Sequence, residues 1–326
     1  DSGTLPLDQS LVFIKPTLEL DDIVVTYRNT FNPGAKWESV EVAGAPGSSL
    51  TLAIYQTDFQ SRDIWIDNAT VDQSAVDVNI SEVVIDGTAT FGSRYILRSG
   101  TLMTPIDPQG HANGLRIDPS HDGGDVFDQR GGIADLPAFE VGGGGLYAQS
   151  GGLLSAPRLS IAGNGEVELT GGRTNLYSEL ALYVGTADDA PDATDEALLD
   201  ISGDAELNAR FVSPKDDVLV GVDTPGRIRQ FGNDSRANYA ELRVGHTAAG
   251  SYLLSSGEVS AYAVIVGSAA DGSITQTGGV FNVEEETSDP LFGAGLLALG
   301  DSVNGGPYNI TGAYDLQGGT LNTVTT

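Results

Sequence analysis

The chain has 326 residues, no cysteine, 43 glycines and a formal net charge of −29 at pH 7. These features exclude a disulfide framework and thiolate metal sites, and they exclude nucleic acid, whose phosphates such a surface repels. Hydrophobic residues make up 40% of the chain, too many for a disordered acidic tail, while no run approaches the ~20 apolar residues of a membrane helix, so no membrane insertion is expected.

Residues 1–83 contain Trp37, Trp65 and strand-like runs from Asp22, Leu50, Asp63 and Ala75. They are predicted to form an N-terminal β-rich cap or a small β-sandwich-like domain, because terminal units of repeat proteins are atypical. Asp1 stands where an initiator methionine would, consistent with a removed export signal.

From residue 84 to 326 a short pattern recurs: a small residue, glycine, then alternating apolar positions. It reads SGTLMT from Ser99, GGLLSA from Gly151, NGEVEL from Asn164, SGEVSA from Ser256, GGVFNV from Gly278 and GGTLNT from Gly318. A second pattern, alternating apolar residues closed by Val-Gly or Leu-Gly, ends at Gly185, Gly245, Gly267 and Gly300. Gly245 and Gly267 are 22 residues apart, as are Gly257 and Gly279, a spacing that suits one turn of a solenoid. Each strand of four to six residues alternates inward apolar with outward polar side chains, and glycine supplies the positive φ where the chain changes face. One coil cannot bury its own apolar face, so coils must stack. The predicted fold is therefore all-β, a right-handed parallel β-helix following the N-terminal β region. Only Thr194 to Leu199 has the pattern of a helical turn.

These repeats resemble the glycine-rich passenger regions of bacterial autotransporter-like adhesins and of bacterial exoproteins that carry sorting tails. The resemblance covers about Val84 to Thr326 and implies export and a β-helix; it names no ligand. It leads to the expectation of a secreted or cell-surface, non-enzymatic structural or adhesive protein. The expected partners are other copies of the chain or extracellular polysaccharide. The final GGTLNTVTT stops in mid-pattern, and the expectation drawn from it is head-to-tail pairing into filaments or a surface layer. The alternative reading is a polysaccharide-binding or polysaccharide-degrading β-helix.

Candidate chemistry is sparse. Two acidic, glycine-bearing segments offer clustered carboxylates to calcium, a cation that needs six to eight oxygen ligands. The first holds Asp118, Asp122, Asp125 and Asp128; the second holds Asp188, Asp189, Asp192, Asp195 and Glu196. A solvated acidic loop is the competing reading of each, because neither matches a known calcium-loop spacing. His111, His121 and His246 lie far apart in sequence, and Lys215 beside Asp216 and Asp217 is the one local grouping suited to a lyase. Tyr252 and Tyr262 are weighed as a sugar platform against ordinary packing. No catalytic residue and no cofactor other than calcium is expected.

Overall fold

The computed structural model describes residues 23–28, 39–44, 50–54, 59–67, 69–74, 76–86, 92–104, 114–117, 124–187, 196–210, 217–285, 295–300 and 311–323. Among them there is no helix, and every strand but one pairs in parallel. The exception is Ile23–Arg28, antiparallel to Ser39–Gly44. The described part of the segment from Thr194 to Leu199 is not helical: Ala197–Ile201 is a strand whose Leu199 and Ile201 are buried. Its alternation of buried positions and its pairing on both sides outweigh the local preference.

The strands fall into two sheets, of eleven and nineteen. The eleven-stranded sheet, here ladder A, stacks consecutive strands from Leu50–Ile54 to Gly312–Leu316. The larger sheet contains two parallel ladders. Ladder B includes Gly100–Met103, Ile133–Asp135, Leu153–Ala156, Arg173–Leu176 and Glu206–Ala209, and continues to Thr320–Thr323. Ladder C includes Gly114–Ile117, Phe139–Val141, Leu159–Ala162, Leu180–Thr186 and Asp217–Val220, and continues to Leu296–Leu299. Four long strands, Phe59–Asp67, Val76–Ile85, Arg236–Val244 and Glu258–Val266, run through both and join them.

The chain visits A, then B, then C, and returns to A beside its previous strand; we call one such passage a round. Eleven strands at about 4.8 Å give ladder A a length of about 48 Å. Residue 84 lies inside the strand Val76–Ile85, which pairs with Phe59–Asp67 on one side and with Gly100–Met103 and Gly114–Ile117 on the other.

The two sequence patterns occupy different ladders. Five of the six glycine-led copies form ladder B, and all four Val-Gly or Leu-Gly copies form ladder C. The copy from Asn164 is different: its strand, Glu166–Leu169, belongs to ladder A, and Asn164 is the one non-glycine residue with positive φ, 60°, among the described residues.

One continuous apolar core fills the space between the ladders. Ladder C contributes pairs such as Leu159 and Ile161, Leu182 and Val184, and Leu242 and Val244. The turn from A to B is tight. At Gly152 φ is +77° and an added Cβ would lie 2.4 Å from the Gly132 carbonyl oxygen of the preceding round. Only glycine fits where two rounds approach so closely.

Ladder A also buries a polar row. Gln73, Gln129, Gln149, Gln230 and Gln276 close their strands with fully buried side chains. In four of them Oε1 accepts the hydroxyl of the tyrosine on the next strand: Tyr95 to Gln73 at 2.6 Å, Tyr147 to Gln129 at 2.7 Å, Tyr252 to Gln230 at 2.8 Å and Tyr314 to Gln276 at 2.6 Å. The strand after Gln149 has Val167 at the tyrosine position, and there the Thr174 hydroxyl donates to Gln149 instead, at 2.6 Å. Each Nε2 donates to a ladder B carbonyl of the following round, for instance Gln129 to Leu153 at 3.0 Å and Gln276 to Thr320 at 3.0 Å. Each of these five glutamine amides is thereby satisfied, as the low dielectric of the interior demands.

Candidate functional face

The connections between ladders are unequal. Those from A to B never exceed five residues, the longest being 231–235. All longer ones adjoin ladder C: 104–113, 210–216 and 284–295 lead into it, and 86–93, 118–125, 187–196 and 300–311 lead out of it. In stacked repeats such excursions gather on the binding side, carried by a rigid scaffold. Both register shifts found in the parallel ladders also lie in ladder C, at Ile161/Ala162 and at Leu180/Leu182. Bulges of this kind re-aim side chains beside functional sites.

The outward column of ladder C runs in register through Arg116, Glu140, Ser160 and Tyr183. In these rounds Glu140 is exposed and Arg116, Ser160 and Tyr183 are half-buried, over about 14 Å along the stack. The exposed Arg158 guanidinium lies 5.8 Å from the Tyr183 ring centre, within the range of a cation–π contact. Farther along, the same column passes through Leu219, Arg243 and Ile265. Leu219 and Ile265 face away from the core yet are only 5% and 6% exposed. Arg243 is paired there with Glu241. The open strip thus presents one aromatic ring, two guanidinium groups, a carboxylate and a hydroxyl, a set suited to recognising a polar, hydroxyl-bearing chain.

His246 follows the Gly245 corner at the border of ladder C. Burial and the nearby Arg243 charge hold its pKa below 6.5, with Asp223 and Glu241 opposing in part. At neutral pH the ring is therefore uncharged, a poor electrostatic partner for anions.

Asp125 and Asp128 have structural roles. The buried Asp125 accepts the Ser93 backbone N–H at 2.6 Å, which ties the entry of one ladder A strand to that of the strand before it. Asp128 is on the outward side of ladder A and is bonded by Arg130 at 2.7 Å. Asp118, Asp122, Asp188, Asp189, Asp192 and Asp195 lie outside the described residues, as do His111, His121, Lys215 and Asp216. In chain order both acidic segments fall between a ladder C strand and the ladder A strand that follows it. Among the described residues no group of three or more His, Asp or Glu side chains is placed to hold a metal ion.

Tyr252 is not a sugar platform: it is buried in the core and bonded to Gln230. Tyr262 carries the Arg210 guanidinium 3.6 Å from its ring centre, and Arg210 also pairs with Glu284 at 2.9 Å. That brace holds together strands of several rounds.

The sequence patterns did not single out Arg116, Glu140, Arg158 or Tyr183. The usable signal was the variable distance between the end of one pattern and the start of the next, which marks the side that bears excursions. No family model matches the chain, no curated protein matches its sequence, and no solved structure matches its fold.

Proposed function

We propose that the chain is a right-handed parallel β-helix that works outside the cell as a non-enzymatic structural and adhesive element, with the outward face of ladder C as its contact surface. The observation that carries this reading is the placement of every long connection, and of both register shifts, along the borders of ladder C. The other two ladders are joined by uniformly short turns and serve as scaffold. On the open strip Glu140 is the single described carboxylate, whereas hydrolysis of a glycoside by paired carboxylates needs two facing groups. The net charge of −29 favours neutral polysaccharide over polyanions as the surface to be held.

The test pairs negative-stain electron microscopy with binding to arrayed neutral and acidic glycans. Rods that retain neutral glycans, with retention reduced about tenfold by Tyr183→Ala, are the expected result; losing one stacked ring costs about that much. Turnover of a retained glycan would overturn the non-enzymatic reading. Binding that ignores Tyr183→Ala and Arg158→Ala would remove ladder C as the contact face.

A further inference from the structure

The outward face of ladder B carries a charge sequence that is complementary to its own reversal. Register places Arg173, Glu206, Arg236 and Glu258 side by side on four consecutive strands, so the column reads plus, minus, plus, minus. Leu153 precedes Arg173 and Val280 follows Glu258. One step farther out stand Ile133, 42% exposed, and Thr320. Along these strands the pairing of ladder B has no register shift, unlike that of ladder C.

Two residues farther along each strand lies a parallel polar column. In it Asn208 Nδ2 donates to Asn175 at 3.1 Å, Asn238 to Asn208 at 2.8 Å and Asn322 to Asn282 at 2.8 Å. Asn238 and Asn322 each keep a second N–H for an outside acceptor, whereas the second N–H of Asn208 donates to Glu206 at 3.1 Å.

We propose that two copies of the chain associate ladder B face to ladder B face, with their stacking axes antiparallel, about a twofold axis that runs along the strands between Glu206 and Arg236. In that arrangement Arg173 meets the second copy's Glu258, and Glu206 meets its Arg236. Leu153 meets Val280, Asn208 meets Asn238, and the lone carboxylate of the polar column, Asp135, meets the Asn322 amide. The parallel arrangement sets each charge against its own copy and is repulsive. An isologous interface requires a patch that is self-complementary, and alternation over an even number of positions provides one.

The eight strands from Ile133 to Thr320 cover roughly 34 Å by 14 Å, or about 500 Å² per copy. A standard interface buries about 800 Å² per partner, so this association belongs to the weak class. The net charge of −29 opposes it at low salt. At about 0.15 M salt the Debye length is near 8 Å, which screens distant charges more than the opposed column. This inference does not depend on the contact surface assigned to ladder C.

Sedimentation equilibrium of the full chain at about 0.15 M salt, from low to high micromolar loading, tests it. The wild-type chain is expected to show a reversible monomer–dimer equilibrium. Glu206→Arg puts like charges opposite each other at two symmetry-related places and should weaken dimerisation about tenfold or more. Combining Glu206→Arg with Arg236→Glu gives plus, plus, minus, minus, which is again complementary to its reversal, and dimerisation should return. Within each chain the combined variant restores only the 206–236 neighbour pair and leaves like charges at 173–206 and 236–258, and circular dichroism and melting follow the fold separately. A wild-type chain that stays monomeric, a single variant that dimerises like wild type, or a combined variant that fails to recover would each overturn the proposal.

Discussion

At the scale of single residues, the interior is specified by polar contacts as much as by apolar ones. Gln230 accepts from Tyr252 and donates to the carbonyls of Ser235 at 3.2 Å and Glu258 at 3.1 Å. Replacing it by leucine keeps the volume and strands the Tyr252 hydroxyl, whose other neighbour, the Tyr239 hydroxyl, is 3.4 Å away. An unsatisfied buried group costs about 1–3 kcal/mol, whereas removing both partners is nearly neutral. Gln230→Leu should therefore lower stability by about 2–3 kcal/mol in urea unfolding, and adding Tyr252→Phe together with Tyr239→Phe, which removes every hydroxyl of the group, should restore most of it. Leucine or isoleucine already fills this column at Leu97, Leu169 and Ile201, which shows that the position accepts an apolar side chain when no tyrosine needs it. The glutamine row was not read from the sequence, because glutamine at a strand end is indistinguishable from a solvated residue until the ladder places a tyrosine beside it.

At the scale of elements, the corners decide how closely rounds approach. The Val-Gly ending was legible as a turn into a new face, since glycine is the residue that adopts positive φ without strain. Distance added a stronger constraint. Gly245 has φ +80°, and a Cβ there would sit 2.5 Å from the Asp271 carbonyl oxygen of the next round, with backbone rather than a flexible side chain in the way. Gly245→Ala is expected to cost about 2–3 kcal/mol through backbone strain and displaced ladder bonds. Amide hydrogen exchange should localise the damage to Gly250–Leu254 and Gly272–Gln276; unchanged protection in both strands would contradict this account. The repeat length between such glycines was correctly set by the sequence, but which ladder each pattern would join was not. The pattern from Asn164 matches its five relatives and still lies in ladder A, because it follows a ladder C strand rather than a ladder A strand.

At the scale of the whole molecule, every round touches chiefly its two neighbours, so stability should be regional. Two aromatic groups lie apart in the core: Tyr95, Phe127, Tyr147 and Phe139 at one level, and Tyr239, Tyr252, Phe281 and Tyr314 at another. Phe127→Ala should cost about 3–5 kcal/mol where it packs. Exchange protection is expected to fall around Arg94–Leu97 and Leu146–Gln149 and to persist in Glu258–Val266. Equal loss at both levels would mean that the stack unfolds as one cooperative unit.

The sequence by itself determined the all-β class, the dominance of short paired strands, the glycine corners and the net charge of −29. Each of these follows from local alternation, positive φ or summed charge, quantities that need no knowledge of neighbours. Only the tertiary structure decided that the long connections share the borders of ladder C, that Arg173, Glu206, Arg236 and Glu258 stand in one column, and that Asp125 and Asp128 bond protein partners. Apart from Asp128 and Arg130, those relations join residues about 20 to 40 positions apart in the chain, and the stacking distance of about 4.8 Å turns them into neighbours.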